Sequence, residues 1–286
     1  MSHLVVNSIL PANFYNSLII DHDATDKAEH VDLKQKHIPS LFKLLTKHGV
    51  ADVVEIHLLH RHFTLQDGEA LVHRTLDIPG SGDLPRIRVD IAKAVNCSES
   101  IKSSLVPLLW MASPDGTLAA YEYGFQEDTA GATPRRIATE VSPKTWDSLA
   151  REFAAYVHSV GIADLVSLKD KSCVTGGEYV VPDMRVLFRV PKESINLQQG
   201  SDMLQSGWQL GAAETDAGLP ECTDGHVTKT RQTTGGTVAH YHKTTEDGID
   251  AFNEKEVAPL YTNAMWSAAK SGEFWAMGGG LVDPVA

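Results

Sequence analysis

Cysteine is scarce in this chain. The three present, Cys97, Cys173 and Cys222, show no CxxC spacing, which argues against a disulfide-stapled secreted scaffold and sets the expectation of a reduced, cytoplasmic protein. Basic residues are also few, 25 Lys and Arg against 37 Asp and Glu. The formal charge of -12 repels phosphate backbones and anionic membrane surfaces, so no nucleic-acid partner is expected. Long apolar runs are missing. None approaches the roughly 18 residues that a spanning helix needs. The first twenty residues have no basic n-region and are interrupted by Pro11, Asn13 and Asn16, so neither a signal peptide nor a membrane segment is expected. GxSxG, GxGxxG and GxxxxGK[ST] do not occur, which leaves serine-hydrolase chemistry, dinucleotide binding and P-loop phosphate binding without a motif.

What the chain does have is an ordinary globular composition, 42% hydrophobic and 22% charged over 286 residues. That length suits one large domain or two medium ones. Ile38, Leu41, Phe42, Leu44 and Leu45 make a helical stripe that stops at Gly49. Ser142-Pro143 opens a second helix, with Trp146, Leu149, Phe153, Tyr156 and Val157 recurring at three and four. A closing helix is expected over EKEVAPLYTNAMWSAAKSG, its early part disturbed by Pro259.

Between these helices the chain reads as strands. ADVVEIHLLHRHFTL and EALVHRTLDI form one expected hairpin across Gln66-Asp67-Gly68. SLVPLLWMAS and TLAAYEYGF form a second across Pro114-Asp115-Gly116, and HVTKTRQ and GTVAHYHK a third across Thr233-Thr234-Gly235-Gly236. EYVVPDMRVLFRVP reads as one strand with Pro182 at an edge or bulge. The expected class is α+β: antiparallel β-hairpins packed with a few helices, divisible into similar-sized halves at 1–170 and 171–286, with a single domain as the alternative.

Two His-x-His pairs, His60/His62 and His240/His242, carry the chemistry. In an extended strand residues i and i+2 share a face, so each pair offers two imidazoles to one space, as β-scaffold sites for divalent transition metals do. Zinc or iron suits such donors best, with manganese and copper as alternatives. On the same alternation His57 falls on the face opposite His60 and His62. Cys222 and His226 flank the tight turn Thr223-Asp224-Gly225 and could add a thiolate and an imidazole. A three- or five-residue connection in the third hairpin would put His226 on the side of His240 and His242, and a two- or four-residue one on the opposite side. With 13 histidines, random placement would give roughly 0.6 His-x-His pairs, so hydrogen-bonded structural imidazoles are the competing reading. Tyr121 and Glu122 are candidate catalytic residues: a glutamate near a metal suits general acid/base work, although an exposed Glu122 is the plainer expectation.

Two likenesses extend beyond single residues. Asp21-x-Asp23-x-Thr25 after an apolar run resembles the first motif of the haloacid-dehalogenase-like phosphatases, which implies a phosphoryl-accepting Asp21 and an acid at Asp23. Asp26 departs from that pattern and no later lysine motif follows, so a solvated acidic loop is preferred. LLHRHF, with the Asp-Gly turn and GEALV after it, is similar to segments of uncharacterised proteins of filamentous fungi, as are CTDGH and HYH. That resemblance implies an ascomycete source and a specialised-metabolite setting, and no activity.

The leading functional expectation is an enzyme acting on a small organic substrate with one metal held by the histidines, polarising a carbonyl or activating water. The alternatives are a metal-free cyclase, isomerase or dehydratase with histidine as general base, and a non-catalytic binding protein with structural histidines. The oligomeric state is left open.

Overall fold

Two amphipathic helices cover one side of a large β-sheet. Helix α3 (Ile38–Lys47) buries Ile38, Leu41, Phe42 and Leu45, and ends where Gly49 adopts φ 65°. Helix α5 (Pro143–Ser159) starts where the Ser142 hydroxyl accepts a hydrogen bond from Thr145 N at 3.1 Å, and buries Trp146, Leu149, Phe153 and Val157. These side chains pack on Val54, Ile56, Leu58, Val166 and Leu168 of the sheet. Each fully buried large apolar side chain there contributes about 1.5–3 kcal/mol. The computed structural model describes residues 9–125, 137, 140–197, 201–209, 221–232, 238–242, 256–272 and 275; side chains at 201, 202, 221, 222, 228–232 and 238–242 lie outside that description.

The strands are β1 (Val54–Leu58), β2 (Glu69–Ile78), β3 (Ile87–Asn96), β4 (Leu105–Ala112), β5 (Leu118–Phe125), β6 (Val166–Asp170), β7 (Gly177–Val181), β8 (Val186–Val190), β9 (Ser201–Gln205), β10 (Gly207–Gln209), β11 (Glu221–Cys222), β12 (Gly225–Gln232) and β13 (Val238–His242). Neighbours run β1-β6-β4-β5-β2-β3-β8-β7-β12, and β12 pairs β9. Only Ser206 separates β9 from β10, and β10 pairs β1. The ladder thus returns to its start as a near-closed barrel.

This corrects the expected hairpin architecture. β1 does not pair with β2 across Gln66-Asp67-Gly68. It lies between β6 and β10, while β2 pairs β3 along its length and β5 in parallel. Every residue of β1 is buried, and a strand covered on both faces takes a partner on each edge rather than one hairpin mate. The segment around Pro182 is also two strands, β7 and β8, joined by a 3-10 turn at Pro182–Met184. The second and third hairpins form as expected, β4 with β5 and β12 with β13. Helix α6 (Pro259–Lys270) begins at Pro259 instead of being disturbed by it, because the first helical position needs no N–H donor. Strands from both sides of residue 170 share the sheet, as β1 with β10 and β3 with β8.

Alternation along the strands sorts side chains to the two faces of the barrel. Outward residues of β2, β3 and β8, such as Val72, Ile91 and Phe188, pack with Tyr261 and Met265 of α6. Facing inward are His73, Thr75, Asp90 and Arg189, together with Glu55, His57, Ser167 and Lys169 on β1 and β6, all buried. One end of this interior is apolar, with Leu71, Ala92, Leu109, Tyr121 and Leu187, and is covered by helix α1 (Ala12–Ser17) through Ala12 and Tyr15. The cover is pinned. Asn16 and the backbone of Leu65 exchange two hydrogen bonds of 2.8 Å, and Arg61 donates from its backbone N to Ile19 O and from Nε to Leu18 O, both at 2.9 Å.

Candidate metal centre

Beyond Leu58 the chain leaves the sheet, so His60 and His62 stand on a buried loop under helix α1 and not on a strand as expected. The backbone N–H of His62 donates to the Tyr15 hydroxyl at 3.2 Å, and His60 Nδ1 donates to the Leu58 carbonyl at 2.7 Å. That second bond fixes the His60 tautomer and leaves Nε2 bare, the form a metal takes. His60 Nε2 points at His226 Nε2, 2.8 Å away, and His226 Nε2 is also 2.8 Å from Glu178 Oε2. One ligand atom from each of His60, His62, Glu178 and His226 lies within 4.8 Å of every other.

The charges around this group fit a cation. His60 is held well below the usual imidazole range by burial, with His226 and His62 adding to the effect. Burial also lowers His226, but the Asp21 and Glu178 carboxylates outweigh it and lift the ring to about 9. Glu178 is pushed up by burial and pulled further down by Arg189 and His226, so it is a carboxylate. Without a metal the cluster therefore carries a proton between His226, His60 and Glu178, at the place a divalent ion would occupy. Both ring nitrogens of His62 are buried and make no hydrogen bond. An orphaned imidazole beside three convergent donors is what an ion would satisfy.

Outer contacts brace these donors. Asp21, the first residue of helix α2 (Asp21–His30), is 3% exposed and its Oδ2 lies 3.5 Å from His226 Nδ1. It is neither a solvated acidic residue nor placed after a strand, since α1 precedes it. Glu122 is 1% exposed, which corrects the expectation of an exposed side chain. Every residue from Tyr121 to Phe125 is buried, so Glu122 is enclosed whichever face it takes, and a pair of compensating bulges sets that face: the register passes from Pro107↔Tyr123 to Leu109↔Glu122 and then to Trp110↔Ala120. Leu108 and Tyr121 are the extra residues, and such irregularities re-aim side chains. Glu122 Oε2 is 2.7 Å from His73 Nε2, and its Oε1 is 3.6 Å from His62 Nε2. Burial raises the Glu122 carboxyl, but His62 and His73 outweigh it and hold it well below the usual range, so it stays ionised and supports His62. Tyr121 shares a 2.9 Å hydrogen bond with Ser167 Oγ.

The remaining candidates are placed by backbone alone. Gln232 opposes Val238, so residues 233–237 form a five-residue connection, and positions 240 and 242 fall on the side of the ladder that holds position 226. The side chains of His240 and His242 lie outside the described residues, as does that of Cys222, which opposes Trp208. His57 is not in the four-donor group but stacks on His60 with centroids 5.5 Å apart.

Sequence reasoning missed Glu178, and with it a second buried group. Lys169 lies fully buried between Asp224 Oδ2 and Glu55 Oε1, the latter at 2.8 Å. Asp224 Oδ1 accepts from Gly176 N at 2.8 Å, and Arg189 Nε donates to Glu178 Oε1 at 2.8 Å. The signal for Glu55, Lys169 and Arg189 is polar alternation in VEIHL, VSLKD and VLFRV.

Fold and site together define a near-closed β-barrel whose interior carries a three-histidine, one-carboxylate group able to hold a metal ion. Compared with protein-family models, curated proteins and solved structures, the chain has no match. Among the described residues no helix is long and apolar enough to cross a membrane.

Proposed function

We propose that this protein binds one divalent transition metal through His60, His62, His226 and Glu178 and uses it on a small organic molecule. The observation that carries the reading is the convergence of four ligand atoms within 4.8 Å inside the barrel, brought together from three separate parts of the chain. Such an arrangement is costly for stability alone, because buried imidazoles and carboxylates lose hydration that a packed apolar interior would not.

The donor set bears on chemistry. Three neutral imidazoles and a carboxylate suit zinc, iron(II), manganese(II) or copper(II). In a tetrahedral zinc site four protein donors leave no open position, and such sites are structural. A five- or six-coordinate ion leaves room for a substrate oxygen or water, which it would polarise as a Lewis acid. Glu122 and Asp21 act through His62 and His226, keeping their rings oriented and basic.

Elemental analysis and an absorption spectrum of protein expressed in supplemented medium test this. About one equivalent of a transition metal, removable by chelation with a fall in melting temperature, is the expected result. Less than about a tenth of an equivalent, with an unchanged melting temperature on adding zinc, iron(II) or manganese(II), would overturn the reading.

A further inference from the structure

Two of the imidazoles in the four-donor group present Nε2 to its centre. His60 has its Nδ1 taken by the Leu58 carbonyl, and His226 Nε2 lies 2.8 Å from both His60 Nε2 and Glu178 Oε2. His62 is set differently. Its Nε2 lies 3.6 Å from Glu122 Oε1, in a contact from which both side chains exclude solvent. A neutral imidazole carries one N–H and one lone pair. A lone pair on Nε2 would face the ionised Glu122 carboxylate in a buried site, where like charge is poorly screened, so the proton belongs on Nε2 and the lone pair on Nδ1. Nδ1 makes no hydrogen bond of its own, which leaves that lone pair to an ion.

Glu122 is held from its other side. His73 on β2 is 1% exposed, and its Nε2 lies 2.7 Å from Glu122 Oε2. Burial holds the His73 ring below the usual imidazole range, against the raising effect of Glu122, so the ring is neutral and its single N–H goes to the carboxylate. His73 Nδ1 has no hydrogen-bond partner, so no other polar contact turns the ring. The strand neighbours of His73 are Ala92 on β3 and Gly124 on β5, whose small size lets the imidazole lie beside Glu122. Each oxygen of Glu122 thus faces one ring, Oε2 to His73 and Oε1 to His62. Outer partners of this kind orient a ligating imidazole, and losing one costs about 10–100-fold in metal affinity.

We infer that His73 is a positioning residue of the metal centre: by anchoring Glu122 it fixes His62 so that Nδ1, and not Nε2, meets the ion. The inference rests on the metal reading and adds to it a mixed donor set, Nε2 from His60 and His226 and Nδ1 from His62.

The test uses the full chain, labelled with nitrogen-15 in its histidines and loaded with cadmium-113. Direct coupling of the metal to Nδ1 of His62 and to Nε2 of His60 and His226 is expected. Coupling to His62 Nε2 overturns the inference and leaves the metal reading in place. Zinc affinity, measured by competition with a chromophoric chelator, tests His73 itself: binding at least about tenfold weaker is expected in His73→Phe, with recovery to within about threefold of wild type in His73→Gln, whose amide donates to Glu122 as Nε2 does. Equal affinity in wild type and His73→Phe overturns the inference. So does His73→Gln binding as weakly as His73→Phe, which would reduce the residue to packing. If His73→Phe does not fold, His73→Asn replaces it, because its shorter side chain falls short of Glu122, and wild-type affinity in that variant overturns the inference. Wild type that takes up neither zinc nor cadmium fails the metal reading itself, and this inference with it.

Discussion

His60 and His226 bring their Nε2 atoms to 2.8 Å across 166 residues of chain. Two bare Nε2 atoms at that distance would repel lone pair against lone pair, so a proton or a metal ion must lie between them. His60 already donates from Nδ1 to Leu58, which makes His226 the ring that carries the proton when no metal is present.

Removing either ring should therefore abolish metal retention while affecting folding differently. His60→Ala leaves His226 with Glu178 and Asp21 still beside it, so a cost of about 1–3 kcal/mol is expected. His226→Ala removes the charged ring beside Asp21 and Glu178, of which Glu178 keeps Arg189, and should cost more, about 3–5 kcal/mol. Urea denaturation ranks the two, and the opposite order would show that His226 is not the charged ring.

The four-donor group was legible only in part. His60, His62 and His226 stand out in sequence because histidine is uncommon and paired spacing is visible. Glu178 does not stand out, since a glutamate in a strand flanked by apolar residues reads as the solvated face. The same ambiguity hid Glu55, His57, Lys169 and Arg189: VEIHL, VSLKD and VLFRV alternate polar and apolar, and alternation gives the face without saying whether it meets water or a barrel interior. Helices α3 and α5 were readable because their periodicity and caps are local. The partners of β1 were not, because β6 and β10 follow more than a hundred residues later and a nearby Asp-Gly turn suggested β2.

Lys169 offers a second measurable case. Its ammonium is fully buried between Glu55 and Asp224, and Lys169→Met would take the cation from Glu55 and the nearer of two from Asp224, whose Oδ1 lies 4.0 Å from Arg189 Nε. A loss of about 3–5 kcal/mol is expected, with partial recovery in the double variant Lys169→Met/Glu55→Gln. Additive losses in that cycle would mean that the two side chains do not interact.

Glu55 also sets a pH dependence. Burial and Asp224 raise its carboxyl to about 7, against the lowering effect of Lys169. A raised pKa means that the folded state holds the proton more tightly, so this contribution is full below about 4.5 and is lost as pH rises to about 7. His57, lowered to about 4 by burial and then by Lys169, acts oppositely: its contribution is full above about 6.5 and is lost as pH falls toward 4. The two slopes nearly cancel in the wild type. Glu55→Gln removes one of them, so its stability should rise between pH 4 and 6.5 relative to wild type, by about 2–3 kcal/mol. Parallel stability curves for the two proteins would show that Glu55 keeps an ordinary pKa.

The cover over the site gives the last expectation. Helix α1 is held to the loop carrying His60 and His62 by the Asn16–Leu65 pair and by the His62 N–H bond to Tyr15. Asn16→Ala deletes two hydrogen bonds at once, one of them leaving Leu65 N–H without its partner, and should cost about 1–3 kcal/mol. Because α1 lies at one end of the barrel, that cost should fall on local opening rather than on the ladder. Hydrogen exchange should therefore quicken by tenfold or more at His62 N–H and Leu65 N–H, while amides within β2 and β3 keep wild-type protection. Faster exchange spread evenly through the barrel would mean that the cover and the sheet open as one unit. Metal added to this variant should slow exchange at His62 selectively, since binding through His62 holds the same loop from below.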